Sequence, residues 1–138
     1  MRRHLKILLL IPAMAAHLTG PGAEMSTAAE LAINEFMAAN SKSNADPQGQ
    51  YDDWIEIYNY GRSAVYVGGM YLTDNIDRPT KWRIPDGTPS QAVIPSQGHL
   101  VIWADDDTGD TGLHANFKLD ADGEEIALFD SDGITLID

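Results

Sequence analysis

From residue 28 to residue 138 the chain consists of short apolar runs separated by Gly, Pro, Asn and Asp. No stretch keeps an apolar helical stripe for three turns. Short apolar or alternating runs between such turn residues are typical of β-strands. The pattern therefore predicts an all-β domain.

Ten strands are predicted from these runs, and two of them have a distinctive pattern. The run at 54–58 alternates most clearly, whereas the run at 99–104 is apolar on both faces, which favours a central strand. The polar loop at 40–50 is long enough to connect two sheets. Asp-Gly turns predict that the last three strands form a meander of hairpins, and the regular spacing favours a β-sandwich. The predicted strands are 31–38, 54–58, 64–67, 70–73, 81–84, 93–94, 99–104, 116–119, 125–130 and 134–137.

The N-terminus has the pattern of an export signal. Three basic residues, Arg2, Arg3 and Lys6, precede an apolar run at 7–16, and small residues follow as far as Ala23. The run has about ten residues, fewer than the roughly 20 that a helix needs to cross a bilayer. We expect cleavage after Ala15, Ala16 or Ala23, all of which leave a small residue at the cut.

This reading divides the chain into three parts. Residues 1–23 are predicted to be a signal peptide, 24–30 a short linker and 31–138 one β-sandwich domain. No later segment is continuously apolar, so the mature chain is expected to have no membrane span. It is expected to be secreted, in an extracellular or periplasmic compartment.

Composition removes several classes of function. The chain has no cysteine, which excludes disulfides, zinc–thiolate sites and thiol nucleophiles. Without the three basic residues of the leader, six basic side chains face 21 acidic ones. The six are Lys42, Arg62, Arg78, Lys81, Arg83 and Lys118. Binding to a nucleic-acid backbone needs a basic patch, so we expect no nucleic-acid partner.

Several stretches of the sequence carry a family resemblance. They are INEFMAANS near the start of the domain, then DDWIEIYN, GGMYLTD, KWRIP, HLVIWA, LHANFKLDADGEEIALFDSDG and the closing ITLID. In this order, across 33–138, the sequence resembles the lamin tail domain. The resemblance implies an immunoglobulin-like β-sandwich of the kind found in exported bacterial proteins, with a binding role and no reaction. The matching residues are mostly structural, with Trp54, Ile55, Ile57, Trp82 and Trp103 as large apolar anchors.

The sequence departs from the family pattern in three places. Tyr60 stands where proline is common, and Tyr66 where a small or acidic residue is usual. Members of the family also have a further segment rich in Gly, Arg and Trp after this point, and the sequence up to residue 138 does not contain it. We therefore expect the chain to be a fragment that is incomplete at its C-terminus. The alternative is a sandwich that closes without its final strand and keeps an exposed edge.

Candidate catalytic groups are few. The sequence has no nucleophile-elbow pattern and no histidine pair at metal-binding spacing. His99 and His114 are predicted to be strand-end residues. Asp52, Asp53 and Glu56 could form the carboxylate pair of a glycosidase, but their position at a strand entry favours turn capping. We expect no enzymatic activity.

The acidic loop at 105–110 is the best candidate for a ligand site. Asp105, Asp107 and Asp110, together with Asp106, place four carboxylates within six residues, and calcium prefers such hard oxygen ligands. The loop lacks the glycine and glutamate that an EF-hand requires. A solvated loop between two strands is the alternative interpretation. Calcium is the one cofactor that the sequence suggests.

The leading functional hypothesis is a non-enzymatic interaction or adhesion module outside the cell. It would present the loops of a rigid sandwich to a protein, a glycan or a cell-surface ligand. The alternative is an N-terminal accessory domain of a longer exported enzyme, hydrolase-like or kinase-like, with its catalytic part beyond residue 138.

Overall fold

The computed structural model describes residues 30–87, 89–123 and 125–138. The predicted signal peptide, and the predicted linker up to residue 29, lie outside the described residues. Within these described residues, nine strands and one short helix follow one another. They are β1 (Leu31–Met37), β2 (Trp54–Asn59), β3 (Val65–Tyr66), β4 (Tyr71–Thr73), β5 (Trp82–Arg83), α1 (Pro89–Ala92), β6 (Val93–Ile94), β7 (His99–Ala104), β8 (His114–Ala115) and β9 (Ala127–Phe129).

These strands form an immunoglobulin-like β-sandwich, as the sequence predicts. One sheet has the order β1-β2-β7-β8, a second has the order β5-β4-β9, and β3 pairs with β6. All pairs are antiparallel except β7 with β8, which is parallel. The prediction that the run at 99–104 is a central strand is confirmed, because β7 lies between β2 and β8.

The core lies between the two larger sheets. Ile55, Ile57 and Ile102 of the four-stranded sheet belong to one cluster with Leu72 and Leu128 of the three-stranded sheet, and all five are 0% exposed. Because successive residues of a strand point to opposite faces, each strand contributes every second side chain to this cluster. Burying one such side chain stabilises the fold by about 1.5–3 kcal/mol.

A β-bulge explains the imperfect alternation of the first strand. Ile33 pairs with Ile57 and Glu35 with Glu56, so the register between β1 and β2 shifts at Asn34. A bulge places two residues opposite one and changes the face to which the later side chains point. Phe36 consequently pairs with the core residue Ile55 but remains exposed at the edge of the sheet.

The predicted meander of the last three strands is wrong. β8 begins at His114, before the predicted segment at 116–119, and pairs with β7, whereas β9 pairs with β4 in the other sheet. The hairpin predicted around 131–133 does form, with a bridge between Phe129 and Leu136. Asp-Gly pairs indicate where the chain turns, but they do not determine which strands pair afterwards.

The interpretation of the 40–50 loop as a connection between sheets is also wrong. β1 and β2, which this loop joins, are neighbours in the same sheet. The chain changes sheet instead between β2 and β4, between β5 and β7, and between β8 and β9. The prediction of a connection between sheets depended on the length of the loop alone. Residues 40–50 instead form a structured loop at one end of the sandwich.

Candidate functional site at the loop end

One end of the four-stranded sheet carries two tryptophans on the face away from the core. Trp54 and Trp103 are direct cross-strand partners, and His114 pairs with Trp103 on the next strand. Trp54 is 4% exposed and Trp103 is 9% exposed, although both lie outside the core cluster. The loops at 38–53 and 105–113 meet at this end of the sheet. These two loops, with the adjoining ends of β2, β7 and β8, are termed the loop end.

The side chain of Asn40 organises the first of these loops. Its Nδ2 donates to the carbonyls of Ser43, at 2.5 Å, and Asp52, at 2.9 Å. Its Oδ1 accepts from the backbone N–H of Ser43 at 3.1 Å, and its own N–H donates to Asp53 Oδ1 at 2.9 Å. A loop whose backbone groups are paired in this way has little conformational freedom, which favours presentation of a fixed surface.

Hydrogen bonds also connect the two loops. Gln48 Nε2 donates to the carbonyl of Thr111 at 3.3 Å, and Gln50 Nε2 donates to Asp110 Oδ2 at 3.5 Å. The backbone N–H of Gln50 donates to Asp46 Oδ1 at 2.6 Å, while Asp46 Oδ2 is buried with no hydrogen-bond partner. The loop end is therefore one connected polar structure.

A buried histidine–aspartate pair lies beneath the second loop. His114 Nδ1 is 2.7 Å from Asp105 Oδ2, and their side chains are 1% and 7% exposed. His114 Nε2 is 3.2 Å from the carbonyl of Thr111. Both ring nitrogens face acceptors, so each must carry a hydrogen to bond them, which makes the ring an imidazolium ion.

The electrostatic balance around His114 agrees with this geometry. Burial lowers the pKa of His114, but the hydrogen bond and charge of Asp105, the Thr111 carbonyl and the charge of Asp110 raise it. The result is a pKa above the ordinary value of 6.5. The sequence placed His114 beside an acidic loop at a strand end, and this position is confirmed.

An acidic pocket of about 150 Å³ opens beside this pair. Its lining comprises Tyr51, Asp52, Asp53, Ala104, Asp105 and Lys118. Asp52 Oδ2 is buried and has no hydrogen-bond partner in the described part of the chain. Burial raises the pKa of Asp52, and the charges of Asp105 and Asp46 raise it further, against the smaller opposing effects of His114 and Lys118. The pocket thus contains a carboxylate that lacks a donor.

The predicted calcium ligands lie at this end but already bond within the loop. Asp105 Oδ1 accepts from the N–H of Asp107 at 3.0 Å, and Asp107 Oδ1 accepts from the N–H of Gly109 at 3.3 Å. Asp110 accepts from Gln50. Within 30–87, 89–123 and 125–138, no group of three or more His, Asp or Glu side chains is placed to hold a metal ion. Calcium at Asp105, Asp107 and Asp110 stays a prediction.

The other candidates from the sequence have separate positions. His99 lies at the opposite end of β7, where its ring stacks on Tyr58 with centroids 4.6 Å apart. Asp53 caps the N–H of Asn40, which confirms the capping interpretation for Asp53. Glu56 instead lies within β2 and accepts from Asn34 Nδ2 of the neighbouring β1 at 2.8 Å. Asp52 differs because one of its oxygens has no donor.

Sequence reasoning missed Asn40 and the role of Tyr51 and Lys118 in the pocket. A signal for Asn40 was present, since Asn followed by Ser within a polar loop is typical of an Asx-turn. Lys118 gave no local signal. Its position depends on the isolated bridge between Asp105 and Lys118, which forms only after the chain has folded.

Comparison with known proteins identifies a family. The family model of the lamin tail domain matches residues 24–138. No curated protein and no solved structure matches the chain. Among the described residues, no helix has the length and apolar character needed to cross a membrane.

Proposed function

Since the chain belongs to the lamin tail domain family and has its immunoglobulin-like fold, we propose that it is a non-catalytic binding module. The module is exported by its N-terminal segment and binds a protein or cell-surface partner. Its binding face is the loop end. The residues that match the family are mostly framework, so a surface formed by the loops is the natural place for a specific function.

The observation that carries this proposal is the carboxylate of Asp52. Its Oδ2 is buried beside a pocket and lacks a donor, and it lies near the further acidic side chains of Asp46 and Asp105. A buried acceptor without a partner costs free energy, and a donor supplied by a ligand would remove that cost. An amine or guanidinium group meets this need because it brings both N–H donors and a positive charge.

The surroundings of the pocket support recognition of a side chain from a larger partner. Tyr51 lines the pocket and is 50% exposed, so it offers an aromatic surface at the rim. The paired loops hold the pocket in place, which limits the entropy lost on binding. Lys118 also lines the pocket and offsets part of the acidic charge.

The described histidines support a role without catalysis. His114 is 1% exposed and both of its nitrogens already have partners, so it is not available to a substrate. His99 lies at the far end of β7, away from the acidic pocket. A general base must reach the proton that it removes, and neither histidine meets this condition at the pocket.

Chemical shift mapping with a tetralysine peptide tests the binding face. We expect shifts to be concentrated at 51–53, at 104–105 and at Lys118, and expect the Asp52→Asn variant to lose them. Asp77→Asn is the matched control, because it removes one carboxylate from an exposed turn elsewhere. A peptide with acetylated lysines should not bind. Equal loss of the peptide-induced shifts in both variants, or shifts spread over all exposed carboxylates, would contradict the proposal.

Export is tested separately by expressing the full chain and determining the N-terminus of the secreted product. Cleavage after residue 15, 16 or 23 is expected, and an uncleaved intracellular product would contradict export.

The downstream reading frame distinguishes a separate module from the accessory domain of an enzyme. A hydrolase-like or kinase-like domain in the same frame would assign the module to that enzyme.

A further inference from the structure

A groove lies along the open edge of the four-stranded sheet, beside β1. It has a volume of about 120 Å³, and its apolar lining includes Phe36, Ala38, Leu119 and Ile126. Phe36 is 57% exposed. This cleft and the adjacent backbone of β1 are termed the edge groove. A large exposed aromatic side chain beside a concave apolar surface indicates an interaction site more than a solvated surface.

The backbone of β1 offers hydrogen bonds beside the same cleft. β1 has seven residues and pairs on one side with β2, and no strand pairs with its other side within the described residues. A carboxylate oxygen of Asp138 accepts from the N–H of Ile33 at 2.7 Å, which caps one position of this edge. An edge strand of this length is a template for another strand unless it is blocked.

Charge selects the kind of strand that fits. Acidic residues accompany the apolar ones along this edge: Glu35 precedes Phe36, Asp120 lines the groove, and Asp122 follows in the same segment. The chain has a net charge of −12, so edge-to-edge pairing of two copies would bring like charges together. A segment with Lys or Arg at every second position would instead be attracted.

We propose that the edge groove binds an extended segment of a partner protein in which apolar residues alternate with Lys or Arg, and that this segment adds as a strand to β1. Alternation follows from strand geometry, because one face of the added strand meets Phe36 and the groove while the other meets carboxylates and solvent. Main-chain hydrogen bonds to β1 provide affinity, and the groove provides the preference for apolar side chains. Among the described residues, none lines both the edge groove and the acidic pocket, so either binding function can fail without the other.

The test uses the full chain and a fluorescent peptide of sequence Lys-Val-Lys-Val-Lys-Val-Lys. Binding is measured by anisotropy, and protection of the β1 amides is measured by hydrogen exchange. We expect binding with protection at 34–37, and expect Phe36→Ser to weaken it about tenfold or more. Val93→Ser, which changes another exposed apolar residue on a different sheet, should leave it unchanged. Asp52→Asn should leave the protection at 34–37 unchanged, because lysine binding at the loop end does not protect β1.

Three results would overturn the proposal. Equal affinity for a peptide that is N-methylated at every residue would show attraction by charge alone, since that peptide cannot donate the hydrogen bonds of a strand. Equal weakening by Phe36→Ser and Val93→Ser would remove the groove from the site. Concentration-dependent protection of β1 without peptide, with a dimer in light scattering, would identify a second copy as the occupant. Thermal melts of both variants verify that they remain folded.

Discussion

The two ends of β2 are each organised by an asparagine, but with different results. At its C-terminal end, Asn59 is 0% exposed, and its Nδ2 donates to the carbonyls of Ser63, Ile94 and Pro95 at 2.8–3.0 Å. Its Oδ1 accepts from the N–H of Gly61. Every polar atom of this side chain is satisfied by the backbone.

At the loop end, near the start of β2, Asn40 makes a similar set of bonds but lies among unbalanced charges. Carboxylate oxygens of Asp46 and Asp52 are buried without a partner in the part of the chain that the structure describes, and the buried pair of His114 and Asp105 lies close to them. The contrast suggests that the Asn59 end serves stability alone. The loop end retains polar groups that lower stability unless something binds them, which is typical of functional sites.

The largest expected effect is at the fully satisfied end. Asn59→Ala removes four hydrogen bonds at a fully buried position, so we expect the free energy of unfolding to fall by about 3 kcal/mol. Asn40→Ala should cost about half as much, because water reaches that loop. Asn116→Ala is the control and should cost under about 0.5 kcal/mol, because this exposed side chain donates to the carbonyl of Lys81 at the surface.

Urea denaturation measures all three variants. If Asn40→Ala and Asn59→Ala lowered the free energy of unfolding equally, the distinction between the two ends would be removed. An unchanged slope with denaturant in each variant would confirm that the comparison concerns stability and not a change in the unfolded state.

Much of this framework could be predicted from the sequence, because strands, turns and core side chains depend on local pattern. The alternation of Trp54 to Tyr58 and the apolar run at 99–104 predicted β2 and the central β7 correctly. The turns predicted at the Asp-Gly pairs do form, and there Asp120 and Asp132 accept from backbone N–H groups two residues later.

The loop end could not be predicted in the same way, because it depends on contacts between distant segments. Asp105 meets His114 only because β8 pairs in parallel with β7, and Asp52 meets both only through the pairing of β2 with β7. The local density of aspartates indicated calcium at 105–110. It gave no indication that the aspartate without a donor would be Asp52.

The second prediction concerns the charge of His114. Because its pKa is higher in the folded protein than its ordinary 6.5, the folded state holds the proton more tightly than the unfolded chain. This stabilisation is complete below about pH 6.5 and is lost as pH rises through the folded-state pKa. We expect urea midpoints to fall from about pH 6 to about pH 9.

His114→Gln should remove that fall in midpoint and cost about 1–2 kcal/mol at the acidic end of the range. The exposed His99 is the matched site, so His99→Gln should keep the pH dependence of the parent protein. A parent protein whose midpoint is constant with pH would show that the buried ring is neutral.

The third prediction is a gain in stability. The pKa of Asp52 is raised, so ionised Asp52 destabilises the fold at neutral pH, and this cost appears as pH rises from about 3.8 through the folded-state pKa. Asp52→Asn should therefore stabilise the protein, by at most about 1 kcal/mol. Asp53→Asn is the control and should destabilise it slightly, because the amide oxygen still accepts from the N–H of Asn40 but without the charge that strengthens this bond. Thermal melts at neutral pH distinguish the expected gain in stability from the expected loss. A loss of stability in both variants would contradict a functional cost at Asp52.

The smallest expected effect is that of calcium. Asp105 and Asp107 accept bonds within the loop, and Asp105 also holds His114, so a bound ion would have to replace contacts that already stabilise the loop end. We expect melting temperatures in millimolar calcium and in chelator to differ by less than about 2 °C. A larger increase that Asp107→Asn abolishes would instead establish the calcium site and would mean that the ion balances the charge of the loop end. In that case the two ends of β2 would differ because the loop end requires an ion to balance its charge and the Asn59 end does not. The difference would no longer be that polar groups are satisfied at one end and unsatisfied at the other.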